Sequence, residues 1–307
     1  QQILRYLQNE CEINEEALNF IVDNNGRAIK NSIAYGGESI SRRIDATTIS
    51  RGTICVNALD NTTGRLGILT NEHVARASQS PSPTMSYRGH LNLDSGTFSE
   101  NAIIGNGTKG QHFGTVDAAF VPFSNQQNWT VTPYGKYSTT PYTNVRLGNN
   151  DQIIQGQTVK KIGQTTGVTD GKITYASSTI VLNYGTEEEP DKQTITDVFR
   201  YSNQSLGGDS GGPVYLNDGN DLYLIGMNFA GPADSSNVYG IGCRIQNVME
   251  ALDVTPITND SFNTTVVGEA IEMNQMGFNP TGAFVVPAEV KGKTILNIGA
   301  NAFANQS

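Results

Sequence analysis

The sequence predicts an all-β protein made of two successive β units, and three observations carry that expectation. Its 33 glycines, 8% aromatics and many Thr, Asn and Ser residues suit strands joined by frequent turns better than a helical bundle. From about Ser39 to Phe123, short β-branched runs alternate with turn residues, as in Thr53-Ile54-Cys55-Val56 followed by Asp60-Asn61-Thr62-Thr63-Gly64. A loop-rich stretch from Ser124 to Asp151, carrying Pro133, Pro141 and Asn149-Asn150, divides this unit from a second β-rich run between about Gln152 and Arg244. A chain of 307 residues has the length for two such units, each with its own core.

Helix is expected only at the flanks. Asn14 can cap a helix whose first turn holds Glu15 and Glu16 and whose stripe is Ala17, Leu18, Ile21 and Val22, with Asn24-Asn25-Gly26 as its stop. Ile245 to Leu252 spaces its apolar residues helically and closes the second unit, with Asp253 and Pro256 ending it. The chain is therefore read as an N-terminal helical segment (1–35), a main domain (36–253, in halves of about 36–125 and 150–253) and a C-terminal extension (254–307).

Charge narrows the partners. With 20 Lys and Arg against 29 Asp and Glu, a net −9 opposes binding to nucleic-acid phosphates or anionic lipid. The longest apolar runs are strand-sized, short of the roughly 20 residues of a membrane-spanning helix. Cys11, Cys55 and Cys243 lie far apart in odd number, which reads as buried small hydrophobes rather than a disulfide framework. Three free thiols favour a reducing compartment and the low-Lys, Asn- and Thr-rich surface an external one, so localisation stays open.

The chemistry is concentrated in three short motifs. Gly207-Gly208-Asp209-Ser210-Gly211-Gly212-Pro213-Val214 is a glycine-rich turn that exposes a serine hydroxyl ahead of a strand. A hydroxyl needs a neighbouring base to act as a nucleophile, and His73, at the end of Ile68-Leu69-Thr70-Asn71-Glu72-His73, follows an apolar strand. Asp117 begins the apolar run Val116-Asp117-Ala118-Ala119-Phe120-Val121, where a carboxylate can hold an imidazole in one tautomer. His90 and His112 sit in turn-like contexts and read as surface or packing residues.

These motifs resemble those of chymotrypsin-like serine proteases, in the order His, Asp, Ser and at spacings of 44 and 93 residues. The segment Lys161-Ile-Gly163-Gln-Thr165-Thr166-Gly167 looks like the opening hairpin of the second barrel in bacterial members. Over roughly residues 36 to 253 the resemblance implies two six-stranded antiparallel β-barrels, a triad of His73, Asp117 and Ser210, and an oxyanion hole from the N–H groups of Gly208 and Ser210. It implies a protein or peptide substrate, with no metal or organic cofactor. No Ile-Val-Gly-Gly start is available to pair with Asp209, and the sequence names no other partner for that carboxylate. Counting back from Ser210 puts Gln204 at the base of the specificity pocket, Ser205 beside it, and Asn228, Phe229, Ala230, Gly231 and Gly240 on the opposite wall. With no acid among them, cleavage is expected after uncharged residues.

Residues 282 to 305, with Pro-Ala-Glu-Val at 287–290 and Ile298-Gly-Ala-Asn-Ala-Phe303, resemble one repeat of the bacterial surface-antigen type of leucine-rich repeat. A single repeat cannot cover its own apolar face, so it is expected to dock on the protease body or on further repeats and to offer a surface for a protein partner. As a recognition module, it should be removable after about Asp253 without loss of hydrolysis.

Overall fold

The computed structural model describes residues 20–22, 28–30, 32–44, 48–87, 103–125, 129–137, 140–142, 144–219, 221–232, 237–267, 270–276, 283–284, 289–290 and 293–298. The segments around Cys11, His90 and Phe303, and most of the expected first helix, lie outside these.

The first barrel is laced from two sheets. One contains β1 (Ser39–Arg43), β2 (Ile49–Thr53), β5 (Thr84–Tyr87) and β6 (Ile103–Asn106) in the order β2-β1-β5-β6. The other contains β3 (Asn57–Asp60), β4 (Leu66–Thr70), β7 (Lys109–Phe113), β8 (Val116–Pro122) and β16 (Val254–Pro256) in the order β7-β8-β4-β3-β16. The Ser124 N–H donates to Ile104 O at 2.7 Å and joins the end of β8 to β6. Ile40, Ile54, Leu66, Ile68, Val121, Phe123 and Trp129 fill this barrel, the last two stacked with ring centroids 5.1 Å apart.

The second barrel is a closed ring of six strands. Its members are β10 (Thr158–Gly163), β11 (Gly167–Asn183), β12 (Lys192–Tyr201), β13 (Pro213–Asp218), β14 (Asp221–Ala230) and β15 (Gly240–Arg244), with β14 pairing both β13 and β15. A short β9 (Val145–Leu147) adds parallel to the outside of β14. The two-barrel expectation is met. A second core, including Leu69, Phe120, Ile162, Val198, Tyr215, Met227 and Val248, crosses from one barrel to the other and fixes the cleft between them. Helix α2 (Ile245–Leu252) stands where the apolar spacing put it, and Asp253 ends it in the left-handed region at φ 49°.

The N-terminal expectation is corrected where residues are described, at the end of the expected helix. Phe20–Val22 forms a strand paired antiparallel with Ala28–Lys30, Ile21 opposite Ile29. The run Phe20-Ile21-Val22 is rich in the branched and aromatic residues that pleated pairing favours, and that preference wins over the helical spacing it shares with Ala17 and Leu18. The boundary expected at Asp253 falls within packed structure. Residues 254–256 are an edge strand of the first barrel, and Val254, Ile257 and Phe262 are buried in it. Farther on, Phe262–Val267, Ala270–Met276, Lys293–Ile298 and Glu289–Val290 form a four-stranded sheet, and Ala283–Phe284 pairs with Trp129–Val131. The C-terminal segment is therefore docked on the body.

Burying Val254, Ile257 and Phe262 contributes about 1.5–3 kcal/mol each, together a large part of a typical 5–15 kcal/mol stability. A chain ending at Asp253 is predicted to lose its cooperative thermal transition, whereas one ending at Val267 keeps it. Equal melting of the two, followed by circular dichroism, would contradict this packing.

Candidate active site

His73 lies in a single helical turn, α1 (Glu72–Ala75), that leaves the end of β4. Two anchors fix this turn. The fully buried Glu72 carboxylate accepts the N–H groups of Ala77 at 2.9 Å and Ser78 at 3.0 Å, while Asn71 Nδ2 donates to Asp117 O at 2.6 Å. Because Ala119 on β8 pairs with Thr70 on β4, Asp117 arrives beside the turn.

Asp117 is fully buried and its four contacts divide evenly. Oδ1 accepts the backbone N–H groups of Glu72 at 2.8 Å and His73 at 3.2 Å, and Oδ2 faces His73 Nδ1 at 2.6 Å and accepts the Tyr184 hydroxyl at 2.8 Å. Burial works against the carboxylate's charge, yet His73, Tyr184 and the backbone donors outweigh it and hold the pKa below the ordinary aspartate value. The Asp117 N–H donates to Cys243 Sγ at 3.2 Å, so one of the two buried free thiols among the described residues supports this strand.

Ser210 comes from the opposite barrel, on the turn between β12 and β13, and it lines the same cavity as His73. Around it, the N–H groups of Leu206, Asp209, Gly211 and Gly212 are taken by Asp209 Oδ2, Leu206 O, Asn228 O and Asp209 O. Those of Gly208 and Ser210 have no protein acceptor among the described residues. The carbonyls are tied back: Gly207 O accepts Thr165 Oγ1 at 2.7 Å, Gly208 O accepts Thr53 Oγ1 at 2.8 Å, and Ser210 O accepts the Thr53 N–H at 2.8 Å. Gly208 adopts φ 99°, a conformation only glycine takes without strain.

Asp209 points the other way, into the protein, and its partner is Lys161 on β10. Both side chains are fully buried with Nζ and Oδ2 2.7 Å apart. The carboxylate also accepts the N–H groups of Thr165 and Thr166 and the Thr166 hydroxyl, and Lys161 Nζ donates to Thr166 Oγ1. Burial pushes the lysine pKa below its ordinary value, and Asp209 opposes that push. Gly163 is needed here, because a Cβ on it would run into the Asp209 carboxylate.

Sequence reading did not assign Lys161 or Tyr184. Alternation offered a signal for the first: Val159 and Lys161 share a strand face, so a lysine stands at an inward position. Tyr184 carried none, since it follows β11 and is 67 residues from Asp117.

A cavity of about 280 Å³ opens between His73 and Ser210, walled by Ser205, Phe229, Ala230 and Gly231 and, across the cleft, by Leu182, Asn183 and Tyr184. Of the pocket residues counted from the sequence, Ser205, Phe229, Ala230 and Gly231 line it, whereas Gln204, Asn228 and Gly240 do not. Ser205 Oγ donates to Asn228 Oδ1 at 3.0 Å, the buried Tyr201 hydroxyl donates to the same oxygen at 2.5 Å, and Gly240 lies against the tyrosine ring.

A model of the trypsin-like peptidase domain matches residues 55–227. Among solved structures, a Nocardiopsis protease is similar with a TM-score of 0.54 and 18% identity, over 74% of this chain and all of its own. A glutamic acid specific serine protease that uses a histidine triad in substrate binding is similar at 0.52 and 21%, again over 74% of this chain and all of its own. These likenesses speak for the fold. No curated protein sequence matches the chain. The matched domain takes in more than half of the residues, His73, Asp117 and Ser210 among them, and the chain belongs to the trypsin-like peptidase family.

Proposed function

We propose that this protein is a serine endopeptidase in which Ser210 attacks the peptide carbonyl, His73 takes and returns the proton, and Asp117 orients the imidazole. The observation that carries the reading is the pair of N–H groups on Gly208 and Ser210, unspent beside a serine that shares its cavity with a carboxylate-bound histidine. Donors with no protein acceptor and carbonyls tied back are what a developing oxyanion requires, because the donors need not reorganise as charge appears. His73 Nδ1 is held by Asp117, which leaves Nε2 to face the serine as base and then to protonate the leaving amine. An acyl-enzyme forms on Ser210 Oγ and water hydrolyses it by the same groups.

Lys161 supplies the internal counter-charge for Asp209 and so keeps the oxyanion turn in shape. In this reading the turn is ordered without an inserted terminal amine. The main alternative, a catalytically silent scaffold or self-processing precursor, draws on the C-terminal segment. There Ile271 and Ile295 pair in parallel strands 24 residues apart, within the 20–29-residue period of leucine-rich repeats. That spacing supports a repeat-like unit able to bind a protein partner, in addition to catalysis.

Among the described residues no carboxylate lines the cavity, and Ser205 on its wall is tied through Asn228 to the buried Tyr201. The walls favour a small or medium uncharged side chain before the cleaved bond. One structural relative, specific for glutamic acid, uses a histidine triad in substrate binding, and among the described lining residues here His73 is the one histidine.

Three outcomes follow. A fluorophosphonate probe is expected to label Ser210, and the label should vanish in Ser210→Ala and fall steeply in His73→Ala; an unlabelled wild type would remove the enzymatic reading. Lys161→Met leaves Asp209 buried without its counter-charge, and is predicted to lower stability by about 3–5 kcal/mol and kcat/KM by at least the roughly 100-fold of a lost oxyanion donor. Wild-type melting and turnover in that variant would refute the role. On a mixed peptide library, Arg and Lys before the cut should be disfavoured by about 1 kcal/mol or more, and dominant cleavage after either would mean that an acid reaches the pocket from elsewhere.

A further inference from the structure

The donors to the Asp117 carboxylate have an uneven origin. Glu72 N–H, His73 N–H and His73 Nδ1 all belong to the turn α1 of the first barrel. The fourth, the Tyr184 hydroxyl, comes from the second barrel, at the tip of the long β11–β12 hairpin, and reaches the same oxygen, Oδ2, that holds the histidine.

That tip is built to keep the tyrosine in place. The Tyr184 N–H donates to Asp191 O at 2.8 Å, Asn183 Oδ1 accepts the N–H groups of Gly185 and Asp191, and Thr186 closes the turn on Glu189. The hairpin is also fastened to the first barrel, where the Thr196 N–H donates to Gly114 O at 2.7 Å and Gly114 bridges Ile195. Tyr184 then packs between two histidines, its ring centroid 5.1 Å from His112 and 6.0 Å from His73. Burial first, and then the charge of Asp117, push the phenol's pKa up, so the hydroxyl keeps the proton it donates. The other edge of the residue faces the substrate cavity beside Leu182 and Asn183.

We infer that Tyr184 is a positioning residue for the proton transfer: its hydroxyl fixes Asp117, and through it the His73 ring, to the barrel that carries Ser210. This rests on the endopeptidase reading for its kinetic consequence, though the geometry itself does not. Base and nucleophile approach from different barrels, so a small relative shift of the two would misplace the imidazole. Three donors on one barrel cannot register such a shift, and the Tyr184 hydrogen bond can. Because the same ring is part of the cavity wall, the hydroxyl and the ring have separable effects, the first on turnover and the second on binding.

The experiment compares Tyr184→Phe, Tyr184→Gln and wild type in the full chain, at matched melting temperature, by steady-state kinetics and by the far-downfield proton resonance of the His73 Nδ1–H facing Asp117. A hydrogen bond to a charged group contributes about 1.5–3 kcal/mol, so Tyr184→Phe is expected to lower kcat about tenfold or more, leave KM within about twofold, and move the downfield resonance. Tyr184→Gln, which keeps a donor, should retain more kcat than Tyr184→Phe. Unchanged kcat in Tyr184→Phe, a fall in kcat with the resonance unmoved, or the reverse ranking of Gln and Phe would each overturn the inference. If wild type hydrolyses nothing and takes no fluorophosphonate, the endopeptidase reading fails, and the resonance alone still decides whether Tyr184 sets the state of the Asp117–His73 pair.

Discussion

The buried ion pair between Lys161 and Asp209 is the constraint on which the site depends. Asp209 stands between Gly208 and Ser210, so wherever its carboxylate goes the flanking peptides must follow. It is pulled inward to Lys161, Thr165 and Thr166, while the Gly208 and Ser210 N–H groups have no protein acceptor among the described residues. Two fully buried opposite charges are costly unless their hydrogen bonds are satisfied. Here the carboxylate gathers donors from the lysine, a threonine hydroxyl and three backbone N–H groups, counting Leu206. The pair also explains the glycine at 163, which lets β10 pass close enough to the carboxylate for Lys161 to reach it.

The two barrels divide the chemistry, and the cleft exists because a shared core holds them in register. Leu69 and Phe120 on one side and Met227 and Val248 on the other belong to one apolar cluster behind the cleft. In front of it, polar ties cross between the barrels: Thr53 on the Gly208 and Ser210 carbonyls, Tyr184 on Asp117, and Thr196 on Gly114. The C-terminal segment adds to the first barrel from outside through β16 and the pairing of Ala283–Phe284 with Trp129–Val131, away from the residues that line the cavity.

Much of the proposed site was legible in the sequence because its residues stand in contiguous motifs. His73, Asp117 and Ser210 each sit in a short motif tied to one turn or strand, and the structure brings His73 and Ser210 to one cavity and Asp117 to His73. The helix at Ile245–Leu252 announced itself by its spacing. What resisted reading depends on pairs far apart in the chain. The partner of Asp209 lies 48 residues away, and Tyr184 reaches Asp117 across the cleft because β11 happens to be 17 residues long. The pocket count placed Ser205, Phe229, Ala230 and Gly231 on the cavity but also put Gln204, Asn228 and Gly240 there, because chain spacing does not say which side chains of a turn face the cleft; Asn228 instead bonds Tyr201 and Ser205. At the N-terminus, two periodicities overlapped in Phe20-Ile21-Val22, and strand pairing with Ala28–Lys30 decided between them.

The central claim is that an internal lysine, and not a liberated terminal amine, holds the oxyanion turn of this chain ready for catalysis. Active-site titration of the intact 307-residue chain with a chromogenic ester, its mass verified before and after, tests this most directly. The account predicts an immediate burst equivalent to one acyl group per chain, and no burst from Lys161→Met. A wild-type chain that shows no burst until it is cut near its N-terminus would contradict it.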